Sequence, residues 1–172
     1  MSRRNEKVWI DVAFMAALLV IGFLLGVLSC GNVRAAELWG NFGGVTAHTA
    51  PGYNGLNPAL IGDVRWKTDG VLGNHGVSAG AYLNSVERIS AIGCYHNRPW
   101  ATRRGEWGQV QVGAMACLVN GYPRVHGGRF FPVALPLVAW QPTPSIEIAP
   151  LVLRGAEKAD GWVFGMTFAA RF

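Results

Sequence analysis

The last stretch of the sequence alternates between large apolar residues and small or polar residues. The apolar positions are Trp162, Phe164, Met166, Phe168, Ala170 and Phe172. A period of two residues predicts a β-strand whose two faces meet different surroundings. The fold must therefore give this strand one apolar side and one polar or crowded side.

Seven earlier runs show similar alternation and are separated by turn residues such as Asn54-Gly55, Asp69-Gly70 and Ala159-Asp160. They predict eight strands in total. The predicted strands lie near 37–48, 57–67, 75–85, 89–100, 107–119, 129–142, 145–155 and 161–172. An even number of strands is what single-chain bacterial outer-membrane barrels have.

The composition, 51% hydrophobic and 15% charged, is more apolar than that of an ordinary soluble domain. In lipid every backbone hydrogen bond must be made within the protein, so separate amphipathic strands have to close on themselves. We therefore predict an all-β fold, an eight-stranded antiparallel transmembrane β-barrel too narrow for an aqueous channel. A soluble two-sheet sandwich is the alternative.

Six of the seven tryptophans lie at or near predicted strand ends, where a membrane barrel carries its aromatic girdles. They are Trp39, Trp66, Trp100, Trp107, Trp140 and Trp162. This placement favours a barrel in a membrane.

The N-terminus has the pattern of an export signal. Basic residues precede an apolar run from Val12 to Ser29, and small residues end at Ala35. We predict a signal peptide over 1–35 and an outer-membrane barrel over 36–172. A retained anchor and lipidation at Cys30 are the alternatives.

The charge and the motifs exclude several function classes. Loss of 1–35 would remove four basic and two acidic residues, so the formal charge would fall from +5 to +3. Without a basic stripe no nucleic-acid partner is predicted, and no metal or cofactor motif is present. If a hairpin turned at 101–106, Cys94 and Cys117 would not be directly opposed, which predicts two unpaired cysteines.

Several stretches resemble one family, the lipid A palmitoyltransferases of Gram-negative outer membranes. The run Pro132 to Ala139, followed by two strands and the terminal Phe172, is similar to the C-terminal part of that family. His48 with Tyr53-Asn54, then Asn57-Pro58, resembles its first loop and second strand, and Gly76 to Ser85 resembles its strand ending in Asp-Ser.

The resemblance implies a fold and a reaction. These enzymes are eight-stranded barrels that move a palmitoyl chain from a phospholipid to lipid A. It implies catalytic roles for His48 and Ser85, with Asn84 in the place of the family's aspartate. It also implies sideways access of lipid beside Pro58, Pro132 and Pro136, whereas Arg154 stands where the family has proline.

The expected partners follow from the same resemblance. They are membrane phospholipid, lipid A, and the barrel assembly machinery acting on the strand that ends in Phe172; the protein is expected to be a monomer. A non-catalytic structural, lipid-binding or adhesion barrel is the alternative, because asparagine supplies no negative charge to a histidine. Tyr82 and Arg65 are predicted to fill the barrel, and His75 and His96 to lie in loops or near headgroups.

Overall fold

The computed structural model describes residues 36–67, 73–123, 126–154 and 161–172. Its strands are β1 (Glu37–His48), β2 (Leu56–Lys67), β3 (Asn74–Leu83), β4 (Ile89–Ala101), β5 (Gln109–Val119), β6 (Phe131–Thr143), β7 (Ile146–Arg154) and β8 (Trp162–Arg171), with a 3₁₀ turn at His126–Gly128. Each strand pairs antiparallel with the next, and β8 pairs with β1. The predicted eight-stranded antiparallel barrel is confirmed, and the two-sheet sandwich is excluded.

The strand ends agree with the predicted ones to within two residues. The largest functional difference is at β3, which ends at Leu83 rather than at Ser85. Asn84 and Ser85 therefore belong to the turn that follows. No helix in the described ranges is both long and apolar enough to cross a membrane.

The barrel carries large apolar side chains on its outer surface and buries many polar side chains inside. In β8 the side chains of Trp162, Phe164 and Phe168 are 50%, 48% and 41% exposed, whereas Val163 between them is 7% exposed. The predicted alternation is confirmed. Buried polar residues come from several strands, and they include Asp63, Arg65, His96, Arg98, Gln111, Gln141 and Glu147.

The six tryptophans lie near strand ends as predicted, but two of them are not exposed. Trp39 and Trp66 are buried, at 1% and 5% exposure. The guanidinium carbon of Arg65 lies 4.1 Å from the centre of the Trp39 ring, a cation–π contact that holds this ring against a buried charge. The exposed members of the predicted girdle are Trp100, Trp107, Trp140 and Trp162.

The prediction of unpaired cysteines is also wrong. Cys94 lies directly opposite Cys117 across β4 and β5, and the two form a disulfide with their Cα atoms 4.0 Å apart. The hairpin closes at a tight turn between Gly105 and Gly108, further along the chain than expected. This displacement moves the whole register and brings the two sulfur atoms together.

Three predictions fall outside the described residues. The export signal over 1–35, with Cys30 and the cleavage site after Ala35, is one. The turn residues Asp69-Gly70 and Ala159-Asp160 are the others.

Candidate functional site

Two rims are distinguished below. The first rim carries the start of β1 and the turns after β2, β4 and β6; the second rim carries the turns after β1, β3, β5 and β7. All three predicted catalytic residues lie at the second rim: His48 ends β1, and Asn84 and Ser85 follow β3. Antiparallel connectivity places them at one end of the barrel, although they are distant in sequence.

His48 is held at the second rim by a ring and a hydroxyl group. The Tyr53 ring stacks on the imidazole with 4.5 Å between centroids. The hydroxyl of Thr46 lies 3.3 Å from His48 Nε2 and donates its own hydrogen to Asn57 Oδ1 at 2.6 Å. When the Thr46 hydroxyl donates to Asn57, its oxygen can accept from His48 Nε2, and in that tautomer Nδ1 is the basic nitrogen of the neutral ring.

The loop after β1 connects His48 with Ser85. Tyr53 stacks on the histidine, and the next residue, Asn54, donates its backbone N–H to the carbonyl oxygen of Ser85 at 2.8 Å. Ser85 is 8% exposed, and its side chain is close enough to Tyr122 to act on the pKa of that hydroxyl group. The structure thus joins the predicted histidine and serine through two consecutive residues of one loop.

Asn84 is fully buried and uses its whole hydrogen-bonding capacity within the turn. Its Nδ2 donates to Ser90 Oγ at 2.9 Å and to the Gly121 carbonyl at 3.0 Å. Its Oδ1 accepts the backbone N–H groups of Val86 and Arg88 at 3.0 and 2.9 Å. Two donors and two acceptor positions are therefore occupied, and the amide ties the β3–β4 turn to the β5–β6 loop.

A packed cluster of apolar side chains that includes two tyrosines lies inside the barrel toward the second rim, and it is called the apolar well below. Tyr82 and Tyr122 place their hydroxyl oxygens 3.0 Å apart. Burial raises the pKa of the Tyr122 hydroxyl above its ordinary value, and its hydrogen bonds with Tyr82 and Ser85 act in the opposite direction. The remaining lining consists of the disulfide, Val119 and the side chains packed against them, namely Ile92, Met115, Phe131 and Val133.

Pro132 and Pro136 lie along a weakly paired line between β6 and β7. Pairing between β5 and β6 runs without interruption past both prolines, so the N–H groups that they lack are those that would face β7. On that side the pairs in the described strands are Trp140↔Ile148 and Thr143↔Ile146, both near the first rim. Pro150 of β7 removes another donor from the same line, since its pairing with β8 is continuous.

Pro58 marks a second break near the second rim. It pairs with Gly43 of β1, and the β2–β3 pairing ends beside it at Ala59↔Tyr82. An open apolar depression of about 270 Å³ lies on the wall at this place. Its lining includes Pro58, Leu60, Ala81, Leu83 and Ile89. All three predicted prolines thus lie where a strand pair loses backbone hydrogen bonds.

The half of the barrel near the first rim contains a buried ionic network. Glu147 accepts N–H groups from Arg65 at 2.7 and 3.0 Å and from Arg98 at 2.6 and 3.1 Å. Asp63 accepts from Arg65 Nε at 2.6 Å and from His96 Nε2 at 3.0 Å. Because these side chains start from β2, β4 and β7, they meet inside the barrel.

Most of this network was not anticipated, although Arg65 was assigned to barrel filling. The prediction that His96 lies in a loop or near headgroups is wrong, because its side chain is buried inside the barrel. His75 belongs to β3 rather than to a loop, and its ring stacks on Trp66 of β2. A signal was present in the sequence. Charged, histidine or amide residues recur two apart on the inward face of three strands, as in Asp63/Arg65 of β2, His96/Arg98 of β4 and Gln109/Gln111 of β5.

Neither the family models nor the curated proteins against which the sequence was compared give a match. The functional proposal for this chain therefore rests on its geometry and on the resemblance described above.

Proposed function

We propose that this chain is an outer-membrane barrel of a Gram-negative bacterium, exported with a cleaved signal peptide. The distribution of side chains supports this location. Large apolar groups cover the outer wall, and charged groups fill the inside, the reverse of a soluble protein. Closure of the sheet satisfies the strand edges, as a membrane-spanning sheet requires.

We further propose that the second rim transfers a fatty acyl chain, as the resemblance to lipid A palmitoyltransferases implies. The observation that carries this proposal is the Tyr53-Asn54 link, which binds His48 on one side and Ser85 on the other. A histidine and a serine that one loop holds at the same rim are candidates for the base and the nucleophile of ester chemistry.

In the proposed reaction the Ser85 hydroxyl attacks the ester carbonyl of a phospholipid. His48 takes the serine proton and returns it to the lysophospholipid alcohol as the ester C–O bond breaks. A hydroxyl group of lipid A then attacks the acyl-serine, His48 takes its proton, and the serine hydroxyl is restored. The Tyr122 hydroxyl is the proposed neighbour of Ser85 in this reaction.

The apolar well is the proposed binding place of the acyl chain. It begins below Ser85 at Tyr82 and Tyr122 and passes the Cys94–Cys117 disulfide. Below it the charged groups of Asp63 and His96 fill the barrel, and a hydrocarbon chain would have to displace them. The well therefore limits the length of the chain, with a discrimination of about 1–3 kcal/mol per methylene.

Lipid would reach this well through the wall. The unpaired stretch beside Pro132 and Pro136 and the depression beside Pro58 are the two proposed routes. Both are at the level of the second rim. Assembly through the strand ending in Phe172 and a monomeric state are part of the same proposal.

The test is the mass of lipid A from a Gram-negative host that expresses the full precursor. The expected result is a gain of one acyl chain that disappears in Ser85→Ala and in His48→Gln. Ser145→Ala, in the exposed turn at the first rim, is the matched control and should keep the gain. Heat-modifiable gel migration shows that each variant is folded, and an unchanged mass with a folded wild-type barrel would overturn the proposal.

A second candidate is a non-catalytic lipid-binding barrel. The observation that favours it is the full commitment of the Asn84 amide to the turn, which leaves it no hydrogen bond for His48. In that case the lipid A mass is unchanged while phospholipid copurifies with the wild-type barrel. A Pro58→Val or Pro136→Val variant would then retain less lipid, because a restored N–H group closes the wall.

A further inference from the structure

The first rim holds a cavity of about 190 Å³ that the proposed acyl transfer does not use. Its lining is rich in cations and includes Arg65, Lys67, Arg98, Arg104 and Arg171. At about 30 Å³ for each water molecule it has room for roughly six waters, or for one small oxyanion with part of its hydration shell. Its opening faces away from Ser85.

The charges around this cavity do not balance. Arg65 and Arg98 are matched by Asp63 and Glu147, and Arg171 is matched by Glu37 at 3.0 Å. Two further cations have no acidic partner in the described ranges. Arg104 donates to the carbonyl and side-chain oxygens of Gln141 at 3.2 and 3.0 Å, and Lys67 is exposed at the mouth. The cavity thus carries an excess of two positive charges.

Hydrogen-bond acceptors are also in short supply here. The two oxygens of Glu147 already receive five N–H groups, two from each of Arg65 and Arg98 and one from Gln141. Arg98 Nε is buried with no acceptor among the described residues. An unpaired buried donor is costly. The lining therefore favours a ligand that brings several acceptor oxygens and negative charge.

We propose that this cavity binds a phosphate group, with Arg104 and Lys67 as its direct contacts at the mouth. A phosphate carries up to two negative charges and several acceptor oxygens, which matches both the charge excess and the shortage of acceptors. Arginine and lysine are the side chains that bind phosphate best. The phosphate is either free inorganic phosphate or the phosphodiester of a phospholipid headgroup. The site lies at the rim opposite Ser85, so it does not depend on acyl transfer.

The experiment is a calorimetric titration of the folded chain in detergent micelles, in a buffer free of phosphate. One arm uses inorganic phosphate and the other uses glycerophosphoethanolamine. We expect saturable binding in at least one arm, weakened about tenfold by Arg104→Gln and by Lys67→Gln, since each removes a charged hydrogen bond. Arg103→Gln is the matched control, because Arg103 is the exposed neighbour of Arg104 outside the cavity lining.

Each outcome is decisive. Binding of inorganic phosphate supports a free anion as the ligand, and binding of glycerophosphoethanolamine alone supports a lipid headgroup. No binding in either arm means that the cavity holds water only and overturns the proposal. Equal weakening by Arg103→Gln and Arg104→Gln also overturns it, because the attraction would then be nonspecific. If Arg104→Gln fails to fold, Lys67→Gln carries the test, since its side chain is exposed.

Discussion

Arg98 forms a bidentate ion pair with Glu147 across the interior of the barrel, with its guanidinium nitrogens 2.6 and 3.1 Å from the two carboxylate oxygens. The two residues start from β4 and β7, which are not neighbours in the sheet. Their side chains are 4% and 5% exposed. The pair therefore braces opposite walls and fills the space through which water would otherwise pass.

Glu147→Gln should destabilise the barrel strongly. The substitution leaves Arg65 and Arg98 buried with one carboxylate, Asp63, between them, and loss of a buried partner typically costs about 3–5 kcal/mol. Urea unfolding in detergent micelles, followed by tryptophan fluorescence, measures this loss. Glu106→Gln in an exposed turn is the control and should change the free energy of unfolding by less than about 0.5 kcal/mol. Equal effects of the two variants would refute the role of the network.

Replacement of both Cys94 and Cys117 by serine should lower the free energy of unfolding by about 3 kcal/mol. The disulfide closes a segment with a sequence separation of 23, which restricts the unfolded chain. A reducing agent should shift the unfolding midpoint of the wild type toward that of the double variant and leave the double variant unchanged. A reductant-independent wild type would show that the pair is not formed.

Gly76→Ala should destabilise the barrel, whereas Gly62→Ala should be tolerated. A Cβ at Gly76 would collide with the ring of His96 and press on Asp63 Oδ1, while a Cβ at Gly62 has no atom within 4 Å. Overpacking of this kind costs about 1–3 kcal/mol. Parallel urea unfolding of the two variants measures the difference. Similar midpoints would mean that the interior tolerates movement of His96.

Asn84→Asp should destabilise the protein by at least about 2 kcal/mol near neutral pH rather than create an enzyme of the family pattern. A carboxylate cannot donate to Ser90 Oγ or to the Gly121 carbonyl, and it would be buried as a charge. The loss should shrink at acid pH, where the carboxyl group is protonated. Asn54→Asp, whose side chain bonds only to exposed backbone, is the control and should cost little. Full stability of Asn84→Asp at neutral pH would contradict this account.

The wall could be predicted from the sequence because the two faces of a strand are encoded locally. The alternation in β8 and the turn residues between strands identified the strand count, the outward face and nearly all strand ends. The interior could not be predicted in the same way. Arg65 and Glu147 are 82 positions apart, and nothing local in either strand indicates that they meet.

Part of the candidate site could be predicted from the sequence. His48 and Ser85 were identified through a resemblance, and the rim that they share follows from antiparallel connectivity. The involvement of Tyr122 and the role of Asn84 depend on where the β5–β6 loop folds, which strand periodicity does not specify. The predicted register of Cys94 and Cys117 is wrong for a related reason, because a turn displaced by two residues changes every cross-strand pair.

The sparse pairing between β6 and β7 also determines where the barrel wall deforms most easily. Seven of the eight seams are held by ladders of eight or more pairs, and one of them is further pinned by a disulfide. Elastic deformation of such a tube concentrates along its softest line. The line between β6 and β7 is therefore the part of the circumference that can widen with the least loss of backbone hydrogen bonds.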